Sequence, residues 1–456
     1  MSCNHCEEFT RSHLMHQAVA TAGNGLPRIE PGMPAPAGTG LNRRSFLLRS
    51  GAAMLSVYGA SRLGLGGLQE GIASAAGAND RVLVSIFLEG GCDSLSVLAP
   101  TGDPNYATLR PTLALAPGAG TPFAEDNRLV WSPSAASFDA LHQAGKMSVA
   151  PAIGYSSPDQ SHFTSRHYWE VGGLQPHEVT GWTGRLLDRI GTPDNPLQGL
   201  SLDGSLAPAL ATQTVPVAAI DGPSYDLWAR NVWGKPEDLM FGTVAELGRS
   251  ALSGKDTGRM TAGTAASQAM ALKAQLDPFS GDEIVPPVAY PTGQGSWFGD
   301  SLSALAAMLA SGLPIRCAAV SAPGSFDTHD NQADSLDDDV KTVADTIAAF
   351  QGDLEARGLA DRVITLVWSE FGRRPEENSS GTDHGAGGAA YVIGTQVAGT
   401  MIGEFPGLAQ LDADDNLRAT SDFRGLYCSI IEQWFGEDAA AVIPDAGTFA
   451  RPTLIG

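Results

Sequence analysis

The sequence predicts an α/β protein built on a mostly parallel sheet that is covered on both faces. Three observations carry this. Short β-rich runs are almost continuously apolar, as strands buried on both sides are. Helical patterns alternate with them along the chain. And 456 residues at 43% hydrophobic and 17% charged supply a large core and are too apolar for a mainly disordered chain.

The strand candidates are 81–88 (RVLVSIFL), 147–153 (MSVAPAI), 314–321 (PIRCAAVS), 362–368 (RVITLVW) and 390–393 (AYVI). Helical patterns fall at 161–170, 182–190, 301–310, 335–355 and 423–435. The stretch from about 213 to 297 differs: it is rich in Gly, Ala, Thr, Ser and Pro, with an Ala-rich helical pattern at 263–276. It reads as an insertion or cap on a single domain spanning 76–456 rather than as a second domain. No repeat of fixed period is visible.

The first 75 residues read as an address. Asn42-Arg43-Arg44-Ser45-Phe46-Leu47-Leu48 has the paired arginines and apolar opening of a twin-arginine export signal. A moderately apolar stretch follows, and Ala73-Ser74-Ala75 is an A-x-A cleavage pattern, placing the cut after Ala75 or Ala76. The expected destination is the periplasm or the extracellular space, with the twin-arginine machinery as export partner. Cleavage removes six Arg and four Asp or Glu, so the net charge moves from −22 to −24. An acidic chain of this kind repels phosphate backbones, which argues against nucleic-acid partners. No uninterrupted apolar run of 18 residues occurs beyond the N-terminal region, so no stable membrane insertion is expected after cleavage. Cys3-x-x-Cys6, with His5 between, leaves with the presequence. Cys92, Cys317 and Cys428 remain, an odd and scattered set that makes no disulfide framework.

In open α/β sheets, ligands bind beyond the carboxyl ends of the strands, so the residues that follow each predicted strand are the informative ones. After the first come Glu89-Gly90-Gly91-Cys92-Asp93. After the second come Asp159-Gln160-Ser161-His162, with Ser161 at a helix N-terminus. After the third come Asp327-Thr328-His329. After the fourth come Ser369-Glu370-Phe371-Gly372-Arg373, and the loop leading to the fifth carries Asp383-His384. Singly, each has an ordinary reading: Asp93 as a turn or cap, Ser161 as an N-cap, Glu370 as an ion-pair partner of Arg373, Asp383-His384 as turn chemistry. Jointly, five distant segments deliver carboxylates, imidazoles and a serine to one edge of one sheet. Of the six His that survive cleavage, His162, His329 and His384 fall in these loops. Carboxylates with imidazoles suit zinc, manganese, magnesium or calcium. A serine beside such an ion, at a helix N-terminus that welcomes anions, has the parts for attack on a phosphate or sulfate ester.

Four segments carry a family resemblance: FLEGGCDSLSVLAP at 87–100, SHFTSRHYWEVG at 161–172, FDTHDNQ at 326–332 and SEFGRRPEENSSGTDHGAGG at 369–388. They run in order across nearly the whole mature chain and resemble domain-of-unknown-function family 1501, whose members often carry twin-arginine signals. That family looks like a branch of the alkaline phosphatase and sulfatase superfamily. The resemblance implies an alkaline-phosphatase-like three-layer α/β/α sandwich with a metal centre at the strand ends. Carried over by position, Ser161 takes the nucleophile's place, with His162 beside it and Arg373 as the better anion clamp. Asp327, His329 and His384 form one metal site with Asp383 adjacent, while Asp93 and Glu370 serve another.

The sequence also departs from the superfamily's pattern. Phe371 stands where phosphatases commonly place a histidine, which puts a full second metal site in doubt. Asp327 and His329 are closer together than alkaline phosphatases space them. GGCDSLS replaces the more usual GGxDGLN, and no C-x-P-x-R sulfatase signature is present. The leading expectation is an exported metal-dependent hydrolase acting on a small-molecule, glycan or lipid ester. The alternatives are a non-catalytic secreted binding or assembly protein on the same fold, and a metal-dependent transferase.

Overall fold

The computed structural model describes residues 55–58, 80–192, 195–221, 235–251, 256–279 and 284–456. Residues 42–48, the cleavage pattern at 73–75 and Cys3 to Cys6 lie outside the described residues, as do parts of the 213–297 stretch.

Eleven strands matter for the site. They are β1 (Leu55–Tyr58), β2 (Val82–Phe87), β3 (Met147–Gly154), β4 (Gly199–Ser201), β5 (Val217–Ile220), β6 (Cys317–Ser321), β7 (Val363–Trp368), β8 (Arg373–Glu377), β9 (Thr382–His384), β10 (Gly388–Ile393) and β11 (Ser421–Asp422). Nine form one sheet, in the order β1-β5-β4-β6-β2-β7-β10-β3-β11. Its neighbours pair in parallel except at β1, which runs against β5, and at β10, which runs against both β7 and β3. β8 and β9 make a separate hairpin that pairs Arg373 with His384.

The period-two alternation of strand side chains splits the core into two layers. Val82, Val84 and Ile86 of β2 face one cluster while Leu83 and Phe87 face the other. The first layer is closed by α1 (Ala136–Gln143), α5 (Thr257–Leu276), α6 (Ser296–Ala310) and α7 (Gln332–Ala356). The second is closed by α2 (His162–Val171), α3 (Trp182–Ile190) and α8 (Phe423–Ser429), which continues as a π-helical turn over Ile430–Phe435. Trp169 stacks between Trp368 of β7 and Phe423 of α8, with ring centroids 5.4 and 4.6 Å away. The molecule is thus a three-layer α/β/α sandwich on a mostly parallel sheet, the predicted class. Among the described residues no helix is long and apolar enough to cross a membrane.

Two differences from the sequence reading have physical causes. The run 314–321 becomes a strand only from Cys317: Pro314 has no N–H to give a ladder, and the Ile315 N–H turns back to the Leu313 carbonyl at 2.8 Å. Six of the eleven strands escaped notice: β4 and β11 are too short to show a period, the Val-Ala-Ala-Ile of β5 is too Ala-rich to stand out, β8 and β9 are polar hairpin strands, and β1 lies in the stretch read as a presequence. β5 also lies inside the stretch read as an insertion, so part of that stretch is sheet. Beyond it, α4 (Lys235–Ala251) packs on α5, and Leu272 and Leu276 of α5 join the first core layer. β1 falls within the predicted presequence and borders the sheet beside β5.

Candidate metal centre

Because β10 runs against its neighbours, the loop that leads into it lies at the same sheet edge as the loops that leave β2, β3, β6 and β7. This topology gathers the motifs. His162 is the first residue of α2, Asp327 and His329 follow β6, Glu370 follows β7, and His384 closes the β8–β9 hairpin. The loops approach backbone to backbone, which explains two glycines. A Cβ on Gly90, whose φ is +120°, would sit 2.3 Å from the Asp327 nitrogen, and one on Gly381 would sit 2.3 Å from the His329 carbonyl carbon.

Three imidazole Nε2 atoms converge on Asp327 Oδ1: His329 at 3.1 Å, His384 at 3.2 Å and His162 at 3.5 Å. His329 Nε2 and His384 Nε2 are 3.0 Å apart. Among the described residues, His162, Asp327 and His384 form a group of three metal-type side chains whose ligand atoms all come within 4.8 Å of one another, and His329 is not a fourth member of it. The four side chains are only 14–21% exposed, so the cluster is largely shielded from solvent.

The other nitrogen of each ring decides what the cluster is for. His162 Nδ1 lies 2.7 Å from Glu370 Oε1, His329 Nδ1 lies 3.2 Å from Asp383 Oδ1, and His384 Nδ1 lies 2.9 Å from the backbone carbonyl of Gln160. All three partners are acceptors, so each Nδ1 donates and each neutral ring presents an unprotonated Nε2. Three nitrogen lone pairs and a carboxylate oxygen that face one point repel one another unless a cation or added protons lie among them. Added protons are disfavoured at His384, whose pKa burial lowers from the usual 6.5. The set therefore fits a divalent ion. Four of its separations, the three to Asp327 Oδ1 and that between His329 and His384, span 3.0–3.5 Å, close to the ~3.3 Å expected between ligands of a tetrahedral ion bound at about 2.0–2.1 Å.

The surroundings hold these groups in place. Burial opposes ionisation of Asp327; hydrogen bonds from the three imidazoles, which exist only while their Nε2 atoms carry protons, and the Arg373 guanidinium outweigh it and hold its carboxyl far below the ordinary range, and a cation at the same point would take the place of those protons. Burial likewise opposes ionisation of Glu370, which His162 and Ser369 overcome. Glu370 also accepts from the Gly90 N–H at 3.0 Å. Gln160 takes a left-handed φ of 58°, which aims its carbonyl at His384, and its side chain is anchored to Asn416 Oδ1 at 2.9 Å. Phe371 packs against both His162 and His384, with ring centroids 4.9 Å from each.

The sequence-predicted residues divide in three. His162, Asp327, His329 and His384 meet. Glu370 and Asp383 sit behind them, on the imidazole Nδ1 atoms. Asp93, Ser161 and Arg373 are placed differently. Asp93 is fully buried in a two-pronged ion pair with Arg110, at 2.6 and 2.9 Å. Ser161 Oγ caps α2 by accepting from the Thr164 N–H at 3.4 Å. Arg373 is fully buried and donates to the carbonyls of Gly90, Gly91, Phe326 and Thr382 and to Asp327, so its guanidinium is engaged inside the protein.

Sequence reasoning overlooked Arg110, Gln160 and Gln332. Gln332 ties three motifs together: its Nε2 donates to Asp93 Oδ2 at 2.5 Å, and its Oε1 accepts from Thr328 and Thr382 at 2.9 and 2.7 Å. Gln332 closes the FDTHDNQ segment, so that signal was present; Arg110 and the Gln160 carbonyl left none.

Residues 245–424 match the family described as Protein of unknown function (DUF1501). The DUF1501 match covers Asp327, His329, Glu370, Arg373, Asp383 and His384, while Asp93, Ser161 and His162 precede it. No curated protein matches the sequence. Among solved structures, the chain is similar to the lipoteichoic acid synthase LtaP from Listeria monocytogenes, at 9% identity and TM-score 0.33, covering 84% of this chain and 78% of that one. It is similar to the PsFucS1 sulfatase from Pseudoalteromonas sp., at 12% identity and TM-score 0.37, covering 84% and 75%. It is also similar to a protein in the alkaline phosphatase superfamily from Vibrio parahaemolyticus, at 10% identity and TM-score 0.35, covering 81% and 68%.

Proposed function

We propose that the mature chain is an exported metal-dependent hydrolase of phosphate or sulfate esters. One observation carries the reading: three Nε2 atoms close on Asp327 Oδ1, with an acceptor behind the Nδ1 of each ring. His162, Asp327, His329 and His384 would hold the ion, which would polarise the ester oxygen and stabilise developing negative charge. Ser161, one residue before His162 at the N-terminus of α2, is the nucleophile in this reading, and the helix N-terminus favours the anion it attacks. Arg373 acts by positioning, because it fixes Asp327 and the backbone around Gly90 and Gly91. The substrate is a small-molecule, glycan or lipid ester, and the twin-arginine signal at 42–48 directs the protein to the periplasm or beyond.

The engagement of Arg373 favours a second reading, a secreted binding or assembly protein that keeps the metal without turnover. Elemental analysis of protein folded in its host without chelator, followed by a phosphatase, phosphodiesterase and sulfatase screen, separates the two. Bound metal with turnover that Ser161→Ala abolishes is the expected result. Bound metal with no turnover on any ester class supports the binding protein, and no bound metal overturns both. Fractionation with Arg43→Lys/Arg44→Lys tests the address; unchanged export would refute the twin-arginine route.

A further inference from the structure

We infer that the site takes a single ion, because Arg110 and His162 already serve the two carboxylates that a second ion would need. This rests on the metal-site reading above and concerns the count and the ligand set.

Asp93 and Glu370 were the candidates for a second position; Asp93 is saturated and Glu370 is committed to His162. Asp93 Oδ1 accepts from Arg110 and the Leu95 N–H, at 2.9 and 3.3 Å. Its Oδ2 accepts from Arg110, Ser96 Oγ and Gln332 Nε2, at 2.6, 2.6 and 2.5 Å. Neither Asp93 nor Arg110 has any exposed surface. The guanidinium is fixed from its far side by the carbonyls of Arg374 and Pro375, at 3.0 and 2.9 Å, so it has no route out. A buried fork-to-fork pair of this kind holds its carboxylate strongly, and removing one charge leaves the other uncompensated. An ion arriving at Asp93 would therefore have to displace a resident cation that cannot reach water.

Glu370 is occupied as well. Oε1 takes His162 Nδ1 and the Gly90 N–H, and Oε2 lies 3.3 Å from the same N–H and 3.0 Å from Ser369 Oγ, whose one proton it shares with the Leu88 carbonyl at 2.7 Å. Recruiting it as a ligand would free His162 Nδ1 and unfix the tautomer that presents His162 Nε2 to the first ion. The second position is thus opposed by the first. Phe371 completes the exclusion, since it walls His162 and His384 with an aromatic ring that offers no lone pair. Arg110 supplies at Asp93, permanently and from within the chain, the positive charge that a second ion would bring.

Native mass spectrometry of the mature protein, stripped and then titrated with zinc chloride, reads the count directly. One zinc per chain at saturation is expected, with Asp93→Asn retaining that count and Asp327→Asn losing it. Two zinc ions per chain, or loss of the ion in folded Asp93→Asn, would overturn the inference while leaving a metal site in place. No zinc in the wild type would overturn the metal reading itself. Asp93→Asn leaves Arg110 buried without its partner; should that variant not fold, the wild-type count alone decides.

Discussion

Glu370→Gln is the perturbation that most sharply tests the site, because the change is isosteric and the residue is only 1% exposed. The carboxylate touches no point where the three Nε2 atoms meet; it acts through His162 Nδ1 at 2.7 Å. In the wild type that hydrogen bond is charge-assisted, worth about 1.5–3 kcal/mol, and with a glutamine carbonyl it becomes a neutral bond worth about 0.5–1.5 kcal/mol. The difference, about 1–1.5 kcal/mol, corresponds to roughly a tenfold loss of metal affinity at about 1.4 kcal/mol per decade. This lies at the lower end of the ~10–100-fold losses that follow removal of an outer partner from a metal-ligating histidine. Competition against a chromophoric chelator measures it, with thermal melting of the stripped protein to separate affinity from folding. The expected result is weakened zinc binding at an unchanged stoichiometry. An unchanged affinity would mean that His162 does not bind the ion through Nε2. Complete loss, equal to that of Asp327→Asn, would make Glu370 a ligand and refute the assignment.

Three further outcomes follow from the same geometry. Ser161→Ala should abolish ester turnover and also cost about 0.5–2 kcal/mol of stability as a lost helix cap, whereas Ser161→Asn should restore the cap without restoring turnover; activity in either would remove the covalent route. Burial alone would raise the pKa of Asp93, but the Arg110 guanidinium holds it below the usual 3.8, so the pair stabilises the fold fully above that value and loses its contribution as pH falls through it. In acid titrations followed by circular dichroism, Asp93→Asn should thus be less stable than wild type by about 3–5 kcal/mol at neutral pH, and the gap should narrow below about pH 3.8; a gap constant with pH would refute the linkage. Gly381→Ala would press a Cβ to within 2.4 Å of the His329 carbonyl, and should weaken zinc binding along with a melting-temperature drop equivalent to about 1–3 kcal/mol; retained zinc affinity would show that His329 is not a ligand.

The fold was legible wherever a segment was long enough to show a period. Runs such as 81–88 and 362–368 are continuously apolar because both faces of β2 and β7 are buried, and their strands fall within a residue or two of the prediction. The helical run 182–190 coincides with α3, whose Trp182, Leu186 and Leu187 form one buried face. β4, β5 and β11 were not legible, since two to four residues carry no period and tertiary pairing alone makes them strands. The reversed direction of β10 was equally hidden, and it is what brings His384 to the edge shared by the other loops.

Within the site, residue type was legible and role was not. Strand-end position was enough to nominate Asp, His and Glu side chains, because loops at that edge have little reason to concentrate three of the chain's nine histidines unless they meet. Which of them turn toward the common point depends on what stands behind each ring, and that information is spread over the chain: a carboxylate 208 residues from His162, another 54 from His329, and a backbone carbonyl 224 from His384. A carbonyl has no sequence signature at all. The same holds for Arg110, whose side chain closes Asp93 from a segment that carries no motif. A sequence motif therefore nominates a metal site by its donors, but the number of ions and the division between ligand and support are set by acceptors and counter-charges that come from elsewhere. In this chain those partners assign Glu370 and Asp383 to the imidazoles, Asp93 to Arg110, and leave one point where a cation removes more repulsion than it creates.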